Sequence, residues 1–169
     1  MEMLFPFVLL GLVLLATAAL HDLATRTIPD IISLLLVITG GFGRLLQGPS
    51  ALAVSLGCAL LLFLIMTTAY SRGLIGGGDV KIMTAVAVGL SPIDSYRFAI
   101  ATAIAGGLLA LTYLLLPAVT HFVCPSDRSS LLGRVLTIEA WRIRRRRSLP
   151  YGVAIAAGGA FVLLLPGST

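Results

Sequence analysis

The sequence predicts an all-α, polytopic membrane protein, a bundle of about six transmembrane helices with an interfacial helix in its last cytoplasmic loop. Of 169 residues, 58% are apolar and only 11% charged, where a soluble domain carries about a quarter. Mean hydropathy is +1.05. Apolar runs near the spanning length of roughly 20 residues recur along the chain. They are continuous rather than alternating, which favours helices over barrel strands. The length suits a single membrane-embedded domain over 1–169, with no room for a separate soluble one.

The expected segments are 3–20, 31–47, 51–70, 80–91, 97–117 and 150–166. In the first, Ala16-Thr17-Ala18 resembles a signal-peptide cleavage site. The basic region that should precede one is missing, with Glu2 the sole charge there, so the segment reads as a retained helix. The fourth is short and must extend or tilt. Of the twelve Lys and Arg residues, all but Arg44 and Arg97 lie in or beside loops one, three and five. That bias places those loops in the cytoplasm and both termini outside.

Loop five, roughly 118–149, is the only long one. Ser129 and Ser130 can cap a helix whose apolar positions are Leu131, Leu132, Val135, Leu136 and Ile143. It reads as an interfacial helix ending in the Arg142–Arg147 run, an anchor on anionic lipid at about 1 kcal/mol per basic residue. A docking site for a partner protein is the other reading of that run. Although the pI is about 9.9, a short run tethered to the bilayer does not suit nucleic acid. Cys58 and Cys124 form no CxxC pair, and Cys58 reads as a packing residue.

Three carboxylates stand beside predicted spans: Asp22, Asp30 and Asp79. Ionisable groups near hydrocarbon are costly and point to function. Asp79 follows Gly76, Gly77 and Gly78, which let the backbone bend and approach another chain closely; Asp79 could equally be a helix cap. Asp30 follows Pro29 at a helix start, where the dipole favours a negative charge. Asp22 has no such structural reason, because it falls at the C-terminal end of a helix.

Two carboxylates that share a site hold one proton near neutral pH. The ionised member can take a proton from water while the protonated one polarises an amide carbonyl. No serine in a nucleophile elbow, Cys–His pair or HExxH stretch offers another hydrolytic chemistry.

The stretch Gly76-Gly77-Gly78-Asp79-Val80-Lys81 resembles the GxGD motif of type IV prepilin peptidases and archaeal preflagellin peptidases. Asp22-Leu23-Ala24-Thr25-Arg26-Thr27-Ile28-Pro29-Asp30 resembles their first-aspartate segment. Leu149-Pro150-Tyr151-Gly152-Val153-Ala154-Ile155 is similar to the Pro-Tyr-Gly-x-Ala segment that opens their last span. The resemblance implies catalytic roles for Asp22 and Asp79, with no metal or cofactor. It also implies that Gly76, Gly77, Gly78, Lys81, Asp30, Pro29, Pro150, Tyr151 and Gly152 bind substrate or shape the loops. The implied substrate is a prepilin or pseudopilin, cut on the cytoplasmic side just before its apolar helix, usually after a glycine. Full-length relatives add an N-terminal region with paired cysteines and a methyltransferase activity. The chain has neither and looks like the short form associated with tight-adherence (Flp) pili. Lys81 is expected to snorkel or to favour ionised Asp79. Two rival readings are a small ion- or proton-coupled transporter and a non-enzymatic pilus or secretion assembly factor. The oligomeric state is left open.

Overall fold

The computed structural model describes residues 5–120 and 149–165. They form six helices: α1 (Phe5–Thr25), α2 (Asp30–Leu46), α3 (Pro49–Ser71), α4 (Gly77–Val88), α5 (Pro92–Thr120) and α6 (Tyr151–Leu163). The expected interfacial helix, the Arg142–Arg147 run and Cys124 lie outside the described residues. By contact the chain divides into Met1–Ala105 with Pro150–Thr169, and Gly106–Leu149. In the second unit, the last part of α5 turns Leu108, Leu111, Leu114 and Leu115 outward, and Thr112 bonds back to the Leu108 carbonyl at 2.8 Å.

The all-α expectation holds, but the helices are of two kinds. Three are long and apolar enough to cross a bilayer: Phe5–Thr25, Pro49–Ser71 and Pro92–Leu115. Only 11% of the most apolar window of the second is buried inside the protein. A soluble protein rarely exposes so continuous an apolar surface, whereas lipid accepts it. The 12 residues of α4 and the 13 of α6 reach only about 18 and 20 Å, against a hydrocarbon core of about 30 Å. The segment expected at 80–91 is thus too short to span as a straight helix. Its residues instead fill the core, with Val80, Ile82, Met83, Ala85, Val86, Ala87 and Val88 all buried.

Helix ends set where the polar groups gather. Arg26, with φ 59°, ends α1 in the left-handed region, and its N–H bonds the Asp22 carbonyl at 2.8 Å. His21 Nδ1 bonds the Thr27 carbonyl at 2.7 Å; a carbonyl only accepts, so this nitrogen carries the hydrogen. His21 therefore clasps the turn into α2. Gly73, with φ +72°, ends α3. Its N–H bonds the Tyr70 carbonyl at 2.8 Å, and Leu74 N–H bonds that of Ala69 at 3.1 Å. Those two bonds are a Schellman stop, which needs a residue free to take positive φ.

Two seams assemble the core. Helices α1 and α6 run antiparallel in a defined register, with Asp22 opposite Gly152, Leu15 opposite Gly159 and Gly11 opposite Leu163. Helices α2 and α4 run side by side in the same direction and come closest at Gly40 and Gly89. A Cβ added at Gly40 would lie 2.7 Å from the Gly89 Cα, so a side chain at either position would force the backbones apart.

Candidate active site

Helices α2, α4 and α6 begin, and α1 ends, at one end of the bundle, and the sequence-predicted residues gather there. Asp22 sits in the last turn of α1 and is 7% exposed. Its Oδ2 accepts the Gly152 N–H at 2.8 Å, a buried contact between residues 130 positions apart. Pro150 is the N-cap of α6, which makes Gly152 its second residue. N–H groups in a first turn have no partner within their own helix. The acid that is misplaced at the negative end of α1 therefore rests on the positive end of α6.

Asp79 is the third residue of α4, with Gly76 as N-cap. Its carboxylate reaches back to the Gly76 N–H, which is half of a capping box. The cap reading holds, and it leaves the carboxylate close enough to feel the Asp22 charge. Asp79 precedes the apolar run of α4 and lies outside the three long spans. Its pKa is raised from 3.8 to about 6, first by burial and then by the negative charge of Asp22, with the Gly76 hydrogen bond pulling the other way. The structure thus brings the two acids within strong electrostatic reach of each other.

The glycines before Asp79 act differently from expectation. Gly76 has ordinary extended dihedrals, φ −75° and ψ 147°, and the positive-φ glycines are Gly48 and Gly73. The positive-φ turn therefore falls at Gly73, and of the three glycines it is Gly76 whose small size matters to Asp79. A Cβ on Gly76 would crowd Asp79 Oδ2 at 3.1 Å, and one on Gly77 would meet the Tyr70 ring at 3.4 Å. Gly78 faces Ile28 at ordinary contact distance, 3.8 Å.

Asp30 and Lys81 pair with each other at 2.9 Å, both side chains largely exposed. Lys81 is not a cause of the Asp79 shift, so its partner is Asp30 rather than the catalytic candidate. Pro29 is the N-cap of α2, extended at φ −62° and ψ 135°, and sets Asp30 in the first turn. Pro150 is fully buried, and Tyr151 packs against the main hydrophobic cluster. Among the described residues, no three His, Cys, Asp or Glu side chains are grouped as metal ligands would be.

A comparison with known families shows what kind of protein carries this acid pair. The model of the type IV leader peptidase family matches residues 9–111. The chain belongs to that family. Type IV leader peptidases are aspartic peptidases, hydrolases of the inner membrane that cleave prepilin leaders. The matched stretch contains both Asp22 and Asp79 and stops before α6. No curated protein and no solved structure matches the chain significantly.

Sequence reasoning did not find the bond from Gly152 to Asp22. Its signals were available separately: a carboxylate at the wrong end of its helix, and a Pro-led helix start with unsatisfied donors. Only the fold joins them.

Proposed function

We propose that this type IV leader peptidase cuts prepilin leaders at the cytoplasmic face of the membrane, using Asp22 and Asp79 as its catalytic pair. The observation that carries the reading is electrostatic. Two acids 57 positions apart in sequence share one end of the bundle, and burial together with the charge of Asp22 raises the pKa of Asp79 to about 6. Such a pair holds one proton between two carboxylates.

One water and one peptide bond complete the chemistry. The ionised carboxylate takes a proton from water as its oxygen attacks the scissile carbonyl carbon. The protonated carboxyl gives its proton to the carbonyl oxygen, and a gem-diol forms. The first acid then protonates the leaving nitrogen while the second recovers a proton from one hydroxyl. The C–N bond breaks and both carboxylates return to their starting states.

The cytoplasmic placement rests on the distribution of Lys and Arg. A substrate's apolar helix would lie in lipid beside the bundle while its leader enters the polar end. Glycine at the cut leaves a helix at little cost.

The test is to co-express the chain with a prepilin, a tight-adherence type first, and to read the pilin's mass. Wild type should remove the leader, while Asp22→Asn and Asp79→Asn should insert normally and leave it intact. Normal processing by both variants would refute the assignment. Reporter fusions after residues 26 and 75 should both read cytoplasm.

A further inference from the structure

The geometry points to Gly152 as a positioning residue for the aspartate pair: its N–H holds Asp22 as the anionic, water-activating member and leaves the shared proton on Asp79. This rests on the peptidase reading and adds to it the division of labour between two acids that are chemically alike.

The argument begins with what Gly152 can and cannot supply. A backbone N–H only donates, so the Asp22 oxygen it meets at 2.8 Å must offer a lone pair and cannot carry a proton towards it. The donor belongs to the first turn of α6, whose free N–H groups favour negative charge there. The contact is buried, so water does not compete for it. One oxygen of Asp22 is thereby held, and the other is left for water.

Space makes the same demand. A Cβ at position 152 would lie 2.8 Å from Asp22 Oδ2, 2.9 Å from its Cβ and 3.1 Å from its Cγ. The Asp22 Cβ is bonded to the α1 backbone and cannot swing aside, so the carboxylate would have to leave the N–H or the helices would have to part. Gly159 provides the contrast two turns along the same face of α6. A Cβ there would meet Leu15 Cδ1 at 2.7 Å, which is the movable tip of a side chain.

The environment of Asp79 is consistent with its holding the proton. Burial and the Asp22 charge both favour its neutral form, and they outweigh the Gly76 N–H, which favours the ionised one. Other titratable groups on the elements around the pair are Tyr70 beside Gly77, Tyr151 next to Gly152, and His21 and Arg26 at the end of α1. Lys81 and Asp30 neutralise each other.

In the reaction, Asp22 takes the proton from the attacking water and Asp79 gives its own to the carbonyl oxygen. In collapse, Asp22 protonates the leaving nitrogen and Asp79 recovers a hydroxyl proton. Losing the Gly152 donor would make the doubly ionised pair harder to form, so the last proton would leave at higher pH.

The experiment is infrared pH titration of the protonated-carboxyl band in the full-length purified protein, alongside cleavage kinetics. Wild type should show a band that disappears with a midpoint near 6. Asp79→Asn should lack it, and Asp22→Asn should keep it with a lower midpoint. Gly152→Ala should raise the midpoint and lower kcat by about 100-fold, the scale of a displacement of about 1 Å, with KM little changed. Gly159→Ala should behave as wild type in both measurements. A band kept in Asp79→Asn and lost in Asp22→Asn would overturn the inference, even if Gly152→Ala does not fold. So would wild-type kcat and titration in Gly152→Ala. Cleavage that persists in both Asp→Asn variants would instead remove the peptidase reading itself.

Discussion

The two ends of the helical bundle treat buried charge in opposite ways. At the end of Asp22 and Asp79, two acids face each other, and each takes a backbone donor from a helix start. At the other end, the cation Arg44 is equally buried, 7% exposed, but it is enclosed by neutral partners. Its Nε donates to Ser55 Oγ at 2.8 Å and an Nη to Gln47 Oε1 at 2.6 Å. Ser55 Oγ passes its own hydrogen to the Leu90 carbonyl at 2.8 Å. Asp94, also buried, takes hydrogen bonds from Ser91 at 2.6 Å and Arg97 at 3.2 Å. One end ties α2, α3 and α4 together with a satisfied network. The other keeps like charges near each other, at an electrostatic cost that the proposed acid pair would put to use.

The largest effects should separate the ends by activity. Asp22→Asn and Asp79→Asn should each lower cleavage by at least about 1,000-fold, within the range of general acid–base catalysis. Stability should move the other way for Asp79. Its pKa is raised in the folded protein, from 3.8 to about 6. Its contribution is therefore fully present below pH 3.8 and lost as pH rises through 6. Asp79→Asn should then match wild type in thermal midpoint at low pH and exceed it above pH 6. A lower midpoint at pH 8 would contradict the electrostatic strain.

At the opposite end the effect should be on stability alone. Arg44→Met removes one buried and one half-buried hydrogen bond from a charged donor, at about 1.5–3 kcal/mol each. Part of that returns as a buried cation is no longer required. A net loss of about 2 kcal/mol is expected in denaturant titration, with cleavage per folded molecule unchanged. Equal loss of activity would mean the two ends are coupled.

Asp22 shows how far the sequence alone could lead. Negative charge at the C-terminal end of a helix is unfavourable, and that local misfit singled out the residue as a candidate. What relieved the misfit was not legible, since it depends on the antiparallel register of α1 against α6. The shortness of α4 was legible, but its burial in the core was not, for a related reason. Apolar composition is alike in a spanning helix and a fully buried one, and only packing distinguishes them. Of the two readings of Lys81, snorkelling or favouring ionised Asp79, the second fails because residues two apart point to nearly opposite sides of a helix. The Arg44–Ser55–Leu90 chain left no motif at all.

Cleavage should fall with pH in proportion to the loss of the Asp79 proton. On the alkaline side, kcat/KM should drop tenfold per unit above about pH 6, the value to which burial and Asp22 raise this carboxyl. A flat profile from pH 5 to pH 9 would mean that no proton with this affinity is needed.

The exposed ion pair at the end of Asp22 and Asp79 is the finest test, because it lies near the proposed chemistry and yet resembles neither end. Asp30 and Lys81 meet at 2.9 Å with side chains 79% and 57% exposed. Pairs so accessible to solvent contribute about 0–1 kcal/mol. Asp30→Asn and Lys81→Met should therefore shift stability by less than about 1 kcal/mol and retain most of the cleavage rate. If either variant raises KM while kcat and stability hold, the pair contacts the leader. Complete loss of kcat in Asp30→Asn would instead show that the first acid is Asp30, and that Asp22, for all its burial, only supports the start of α6.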